Sequence, residues 1–414
     1  MRNHRGWIRF VIRRQGYVFE LRLNNREATT LRRFAGCCRF VWNELLAMNE
    51  LRHERGEQRL SYSTACGHLA SIKDEYPWLA EVHSQPLQQS LKDLSRAYAN
   101  FFNPKLRTRF PAFKRKGQHV GVRFPQGFQV ANNAVYLPKV GWLGYRASRK
   151  IEGAPKSITV YEKAGRWFAS ILTEREIEVP YHRSDSIIGI DLGVKVFAAL
   201  SNGEKVVGPN AFARLERALA HLQRRLARQT KFSKNWRRTK NRISRLYVRI
   251  ANVRSDAINK HSTTISKNHA VVIVEDLRIG NMTKSARGTV EEPGKNVAQK
   301  SGLNRRILDQ GWGAFARMLG YKLAWHGGLL VLVDPRNTSR TCPACGHVAA
   351  ENRTTQERFV CVNCGRTENA DVNAAINIRE RGLALIQGGT TPGVSVEGAK
   401  RSLKQETRSG REAA

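Results

Sequence analysis

Residues 17–23, YVFELRL, alternate apolar and polar side chains as a strand does. Directly after them, apolar residues recur at Leu31, Phe34, Cys38, Val41, Trp42 and Leu45, the spacing of one helical face. A second helical stripe follows Pro86, at Leu87, Leu91, Leu94, Tyr98 and Phe101, and Pro104 and Pro111 close the segment. Residues 27–112 therefore read as a small helical domain whose cysteines and aromatics form its core. Between 120 and 178 the pattern shortens to VRFPQGFQV, AVYLPKV, SITVYEK and RWFASILTE, strand-like runs separated by Gly, Asn and Pro turns. That spacing predicts a small barrel or sandwich. With strand patterns on both sides of it, the helical segment reads as an insertion into one β domain made of residues 1–26 and 113–183.

From 187 the periods change again. Apolar strands surround Asp191, and long helices, VVIVEDL at 271–277 and LLVLVDP at 329–335 follow. Strands alternating with helical stretches predict an α/β domain over 184–336 and 369–385. Leu215, Leu219, Leu222 and Leu226 make one stripe and Ile243, Leu246, Ile250 and Val253 another, broken near FSKN, which predicts a helical hairpin. After ~380 the chain turns poor in large apolar residues, and 386–414 reads as a disordered tail.

Charge changes this picture. The 414 residues carry 71 Lys plus Arg against 34 Asp plus Glu, a formal net charge of +37. A folded chain this basic repels itself unless a polyanion accompanies it, so nucleic acid is the expected partner. The excess concentrates in the hairpin: residues 221–260 hold thirteen Lys and Arg against Asp256 alone, which phosphate contact explains better than a merely solvated face. No apolar run approaches the ~20 residues that span a bilayer, and arginines interrupt the N-terminus before a signal-peptide core can form. A membrane partner is not expected, and the expected location is the cytoplasm or nucleoid of a prokaryote.

Cys342, Cys345, Cys361 and Cys364 form CPAC and CVNC with fifteen residues between the pairs, the spacing of a zinc ribbon over 337–368. Gly346 and Gly365 follow the pairs and allow tight turns at the sulfurs. Four thiolates fill zinc's coordination shell, so one structural Zn²⁺ is expected, and catalysis must lie elsewhere. Three acids share a different context: Asp191 after IIGI, Glu275 after VVIV, and Asp371 in ENADVNAA where a helix begins. Singly, each reads as a helix cap or surface residue. Together in a basic α/β chain they suggest carboxylates converging on divalent metal, two ions of which would serve a phosphodiester displacement.

GIDLG, VVIVEDL, SRTCPACGH, CVNCG and ADVNAAINI, in that order, resemble the TnpB (OrfB) proteins of bacterial insertion sequences, as do FAGCCRFVWNELL, LQQSLKDLSRAYANFF with FPAFKRKG, and GWGAFARMLGYKLAWHG. The likeness covers residues ~17 to 380. It implies an RNA-guided DNA endonuclease related to type V CRISPR effectors. The implied fold is multidomain α+β: a β-barrel wedge domain with a helical recognition insertion, and a RuvC-like, RNase H-fold nuclease with an inserted zinc ribbon. Carried over by position, the family's catalytic acids fall on Asp191, Glu275 and Asp371, which would hold two catalytic Mg²⁺. The implied partners are a guide RNA derived from the element end and double-stranded target DNA; for the oligomeric state, which the sequence leaves open, a monomer is favoured. Lys114, Arg115 and Lys116, with Arg224, Arg225, Arg228, Arg237, Arg238, Arg242 and Arg245, are the candidate nucleic-acid contacts. The chain departs from the family in lacking the usual glycine before the proline in FFNPKLRTRFPAFKRK, and in residues 1–16, which precede the normal start. Two other readings stay open, a nuclease-dead RNA-guided repressor and a non-catalytic zinc-ribbon protein; an actin-like ATPase, whose first phosphate loop resembles GIDLG, would need further Gly-rich nucleotide loops that this sequence lacks and would explain neither the ribbon nor the charge.

Overall fold

The structure, a computed structural model, describes residues 10–106, 108–118 and 120–389. The chain forms two compact units that divide between Glu178 and Val179.

The first unit begins with β1 (Phe10–Arg22), continues with α1 (Asn25–Glu54), α2 (Tyr62–Glu75) and α3 (Ser84–Phe102), and then adds β2 (Gly121–Phe124), β3 (Gln129–Val130), β4 (Ala134–Leu137), β5 (Gly141–Tyr145), β6 (Ala154–Lys163) and β7 (Arg166–Glu178). Asn24 starts α1 with a capping box: its side chain accepts from the Glu27 N–H while the Glu27 carboxylate accepts from the Asn24 N–H. The strands form one seven-stranded sheet in the order β2-β6-β7-β1-β5-β4-β3, with no pairing between the end strands among the described residues. The helices thus leave the sheet after β1 and return at β2. Tyr17, Phe19 and Leu21 of β1, Ile158 and Val160 of β6, Leu31 and Val41 of α1, and Leu87, Leu91 and Leu94 of α3 belong to one continuous core.

Two strands depart from the sequence pattern. β1 starts at Phe10 and not at 17, because Phe10 to Glu20 pair in unbroken antiparallel register with Glu178 to Phe168 of β7. Residues 10–16, part of the segment expected to precede the family's usual start, are therefore ordinary sheet, while residues 1–9 lie outside the described residues. β5, GWLGY, carries too many glycines to announce itself, yet it pairs with both β4 and β1.

The second unit contains β8 (Ile187–Asp191), β9 (Ala198–Leu200), β10 (Lys205–Val206), α4 (Ala211–Ala227), α5 (Lys234–Asn268), β11 (Val271–Glu275), α6 (Ile279–Met282), α7 (Val297–Gln310), α8 (Trp312–His326), β12 (Leu329–Val333), β13 (Arg358–Val360), β14 (Thr367–Asn369) and α9 (Ala370–Gln387). Its sheet runs β10-β9-β8-β11-β12, with β8, β11 and β12 parallel. Strand alternation sorts the core. Ile188, Ile190, Val272 and Val274 pack with Ile258 and Ile265 of α5 and Phe315, Leu319 and Leu323 of α8. Ile187, Val271 and Ile273 face the other way, against Ile378 and Ile386 of α9.

The expected helical hairpin is α4 and α5, broken at 228–233. No side chain of Asn210 caps α4; instead the buried Asp309, at the end of α7, accepts from the Phe212 backbone at 2.9 Å. Lys322 of α8 is buried, and its ammonium donates to the Asn259 carbonyl, Ser262 and Thr263 of α5, which pins the hairpin's base to the sheet layer. α9 continues to Gln387, two residues into the expected tail, and residues 390–414 lie outside the described residues. No helix among the described residues is long and apolar enough to cross a membrane.

Candidate active site and metal centres

Asp191 and Glu275 are the last residues of adjacent parallel strands, each one step beyond the register pair Ile190 and Val274. Side chains alternate along a strand, so both carboxylates point to the face shared with Ile187, Val271 and Ile273, where α9 packs. Asp371 is the second residue of that helix, and the Asn369 side chain caps its N-terminus by accepting from the Asp371 and Val372 backbones. Two close approaches seat α9. A Cβ on Gly189 would lie 2.2 Å from the Ala375 carbonyl oxygen, and one on Gly382 would lie 2.5 Å from Ile273. The glycine that opens GIDLG is therefore a packing requirement.

All three carboxylates are partly buried. Burial, with the charges of Glu275 and Asp371, pushes the Asp191 carboxyl up to about 7, against the opposing Arg353 charge and Leu192 backbone N–H. Burial also raises Glu275, opposed by the Thr338 hydroxyl, which donates to Glu275 Oε1 at 2.7 Å. The Arg353 guanidinium lies 3.6 Å from Asp371 Oδ1. Three carboxylates meet at a partly desolvated point, with the charges of Arg353, Arg381 and Lys195 acting on them, and their oxygen donors are of the kind that hard divalent ions such as Mg²⁺ or Mn²⁺ take.

The four cysteines form the tighter group: among the described residues, only their ligand atoms all fall within 4.8 Å of one another. Cys342 and Cys364 sulfurs are 3.6 Å apart, as are those of Cys345 and Cys361, close to the about 3.8 Å edge of a tetrahedron with 2.3 Å Zn–S bonds. Each pair sits on the same turn. Gly346 and Gly365 have φ of 74° and 73°, and their N–H groups donate to the Cys342 and Cys361 carbonyls at 2.9 Å. Asn352, fully buried, ties the turns together, donating to the Arg340 and His347 carbonyls and accepting from the Val362 N–H. The donor set and geometry fit one closed, structural zinc.

The ribbon reaches the carboxylates through residues that the sequence pattern did not single out. Arg353 faces Asp371, Thr338 holds Glu275, and Lys195, four residues past Asp191, pairs with Glu357. Asn377 of α9 donates to the Thr338 and Thr341 carbonyls at 2.8 and 2.7 Å and so fixes the ribbon's first strap on the helix that carries Asp371. No local signal marks Arg353, one of many arginines in this chain; its role depends on how the ribbon folds back.

The basic candidates separate by environment. Arg224 and Arg225 on α4, Arg228 just beyond it, and Arg237, Arg238, Arg242 and Arg245 on α5 are exposed. Arg115 and Lys116 are exposed in the other unit. Lys114 is exposed as a residue as well, but its backbone exchanges hydrogen bonds with the Asn43 amide, its ammonium lies 3.5 Å from the centre of the Trp42 ring, and desolvation of that ammonium lowers its pKa. Its charge is directed at a neighbouring aromatic.

Residues 170–286 match a family model described as "Probable transposase", residues 312–378 one for the Cas12f1-like TNB domain, and residues 13–58 one for a helix-turn-helix domain. The chain is 46% identical over 398 residues to an Escherichia coli K12 protein named "Putative RNA-guided DNA endonuclease InsQ", covering 95% of this chain and 97% of that one. A Streptomyces pristinaespiralis protein named "Putative RNA-guided DNA endonuclease" is 34% identical, covering 90% of each. Among solved structures, a Cas12f1–sgRNA–target DNA complex superposes with a TM-score of 0.54 at 16% identity over 85% of this chain and 82% of that one, a likeness of fold.

Proposed function

The chain belongs to the TnpB (OrfB) family of insertion-sequence proteins, and from that premise we propose that it is an RNA-guided DNA endonuclease of a transposable element, cleaving guide-matched double-stranded DNA next to a short motif. The observation that carries the reading is the convergence of Asp191, Glu275 and Asp371 from two strand ends and a helix N-terminus onto one face. In this reading the second unit is a RuvC-like, RNase H-fold nuclease with the zinc ribbon inserted before its last helix, and the first is a wedge domain bearing a helical recognition insertion.

Asp191, Glu275 and Asp371 would hold two Mg²⁺, which when bound would stabilise the attacking and leaving oxygens of the phosphodiester. Thr338 keeps Glu275 oriented through its 2.7 Å hydrogen bond. Arg353, beside Asp371, is placed to bind a non-bridging phosphate oxygen of the scissile group. The exposed arginines of α4 and α5 hold nucleic acid through its backbone, reading form and not sequence, while base pairing with the guide RNA selects the target. The protein works in the cytoplasm or nucleoid, where its substrate is.

The test is a reconstitution: purified chain, the RNA that copurifies with it, and a duplex matching that RNA's variable end, with and without Mg²⁺. Cleavage that requires all three supports the proposal. Mg²⁺-independent cutting, or cutting of unmatched duplex at the same rate, overturns it. A nuclease-dead repressor would need to lack one of the three acids, and this chain has them all.

A further inference from the structure

The tip of the α4–α5 hairpin carries an aromatic pair that the proposed chemistry does not use. After Arg228 the chain turns through Thr230–Ser233, closed by the Ser233 N–H donating to the Thr230 carbonyl at 3.1 Å. The third position of that turn is Phe232, with φ of +68°. Such a position favours glycine or asparagine, and a bulky residue there is strained. The ring gains no burial in return: Phe232 is 62% exposed. It is held in place all the same. Ser233 caps α5 by accepting from the Trp236 backbone at 3.2 Å, which sets the Trp236 ring 5.4 Å from that of Phe232 at 58°.

The charge around the pair is of one sign. Lys231 lies 5.4 Å from the Phe232 ring centre and Lys240 4.9 Å from that of Trp236. No acidic residue occurs between Glu216 and Asp256. An apolar protein surface would gain nothing from so many cations, whereas a nucleobase brings both a flat π-face for the ring and phosphates for the lysines. An exposed ring in a strained turn calls for a partner that covers it in the resting protein, and target DNA is met only transiently. A guide RNA is carried throughout.

Resting on the proposed function, we propose that Phe232, backed by Trp236, is a stacking platform for an unpaired base of the guide RNA. Lys231, Lys234 and Lys240 take the phosphates on either side of that base, so the hairpin tip grips one point of the RNA while the arginines along its length grip the backbone.

Two substitutions separate ring from backbone. Phe232→Asn removes the ring but suits the left-handed turn, so it relieves strain and should fold at least as well; Phe232→Tyr keeps the ring. The RNA recovered from the purified full-length protein is sequenced, transcribed and titrated against each variant over a range of salt. Stacking of one base predicts that Phe232→Asn weakens RNA binding roughly 5- to 150-fold. The slope of log affinity against log salt should not change, because no charge is lost. Phe232→Tyr should bind like wild type. Arg237→Ala should show the opposite signature, with a shallower slope. Ultraviolet crosslinking should join Phe232 or Trp236 to one nucleotide of the wild-type complex. If Phe232→Asn binds RNA as wild type does while wild type binds normally, the platform is refuted and the proposed function stands. Should the loss appear only in the affinity of guide-loaded protein for DNA, the occupant is DNA and the assignment to guide RNA is wrong. Wild-type protein that binds no such RNA overturns the proposed function and this inference together.

Discussion

Gly189 of β8 lies against the main chain of Ala375 in α9, so close that a methyl group on Gly189 would stand 2.2 Å from the Ala375 carbonyl oxygen. A backbone oxygen in a packed helix cannot swing aside as a side chain can. The helix that carries Asp371 is therefore positioned, to within about a van der Waals radius, by the absence of a side chain two residues before Asp191.

Gly189→Ala should force α9 away from β8. Overpacking of this kind costs about 1–3 kcal/mol. Thermal unfolding should report the lost stability, and cleavage should fall far more than RNA binding does, because the displaced group is a carboxylate of the site. A variant that cuts at the wild-type rate would show that the close approach does not position Asp371.

Removing a carboxylate separates binding from cutting. Asp191→Ala, Glu275→Ala and Asp371→Ala should each keep guide and target affinity near wild type yet lose essentially all Mg²⁺-dependent cleavage, and double substitutions should be hardly worse than single ones. Asp276→Ala is the control: Asp276 is exposed and one residue out of phase with Glu275. Parallel binding and cleavage titrations check this; loss of RNA binding in Asp191→Ala would contradict the assignment.

The raised pKa of Asp191 makes a claim about pH. An acid that titrates at about 7 in the fold and near its ordinary value unfolded holds its proton longer in the native state, so metal-free protein should lose stability as pH rises from ~4 to ~7. In the proposed nuclease, divalent metal would replace the proton. Mg²⁺ should therefore raise the melting temperature more at pH 8 than at pH 6. In Asp191→Asn both the decline and that difference should shrink, which melting curves with and without Mg²⁺ will test.

Cys342→Ser removes one of four ligands and should release the zinc, of which metal analysis should find about one per chain in the wild type. Cleavage should fall as well, because the ribbon supplies Arg353 and Thr338 to the carboxylates. Arg353→Ala should keep the zinc and still lose roughly 10²- to 10³-fold in cleavage, the usual effect of deleting one charge-stabilising donor. Zinc loss without any change in cutting would separate the ribbon from the site.

By itself, the sequence determined the parts whose signals are local. The two CxxC turns, the glycines after them, the stripes of α4 and α5 and the apolar strands before Asp191 and Glu275 are each set by spacings of a few residues, and such spacings read directly as periodicity. Only the tertiary structure decided what depends on distant segments meeting. The early start of β1 requires its partner β7, about 160 residues later, since FVIRRQ does not alternate cleanly. Strand phase permits Asp191 and Glu275 to share a face, but it is α9, let in by Gly189 and Gly382, that makes the third acid join them. Arg353 is indistinguishable from its neighbours until the ribbon, tied by Asn352 and strapped to Asn377, brings it 3.6 Å from Asp371. A residue's period reports which way it points, whereas its partner is set by long-range packing, which no local pattern encodes.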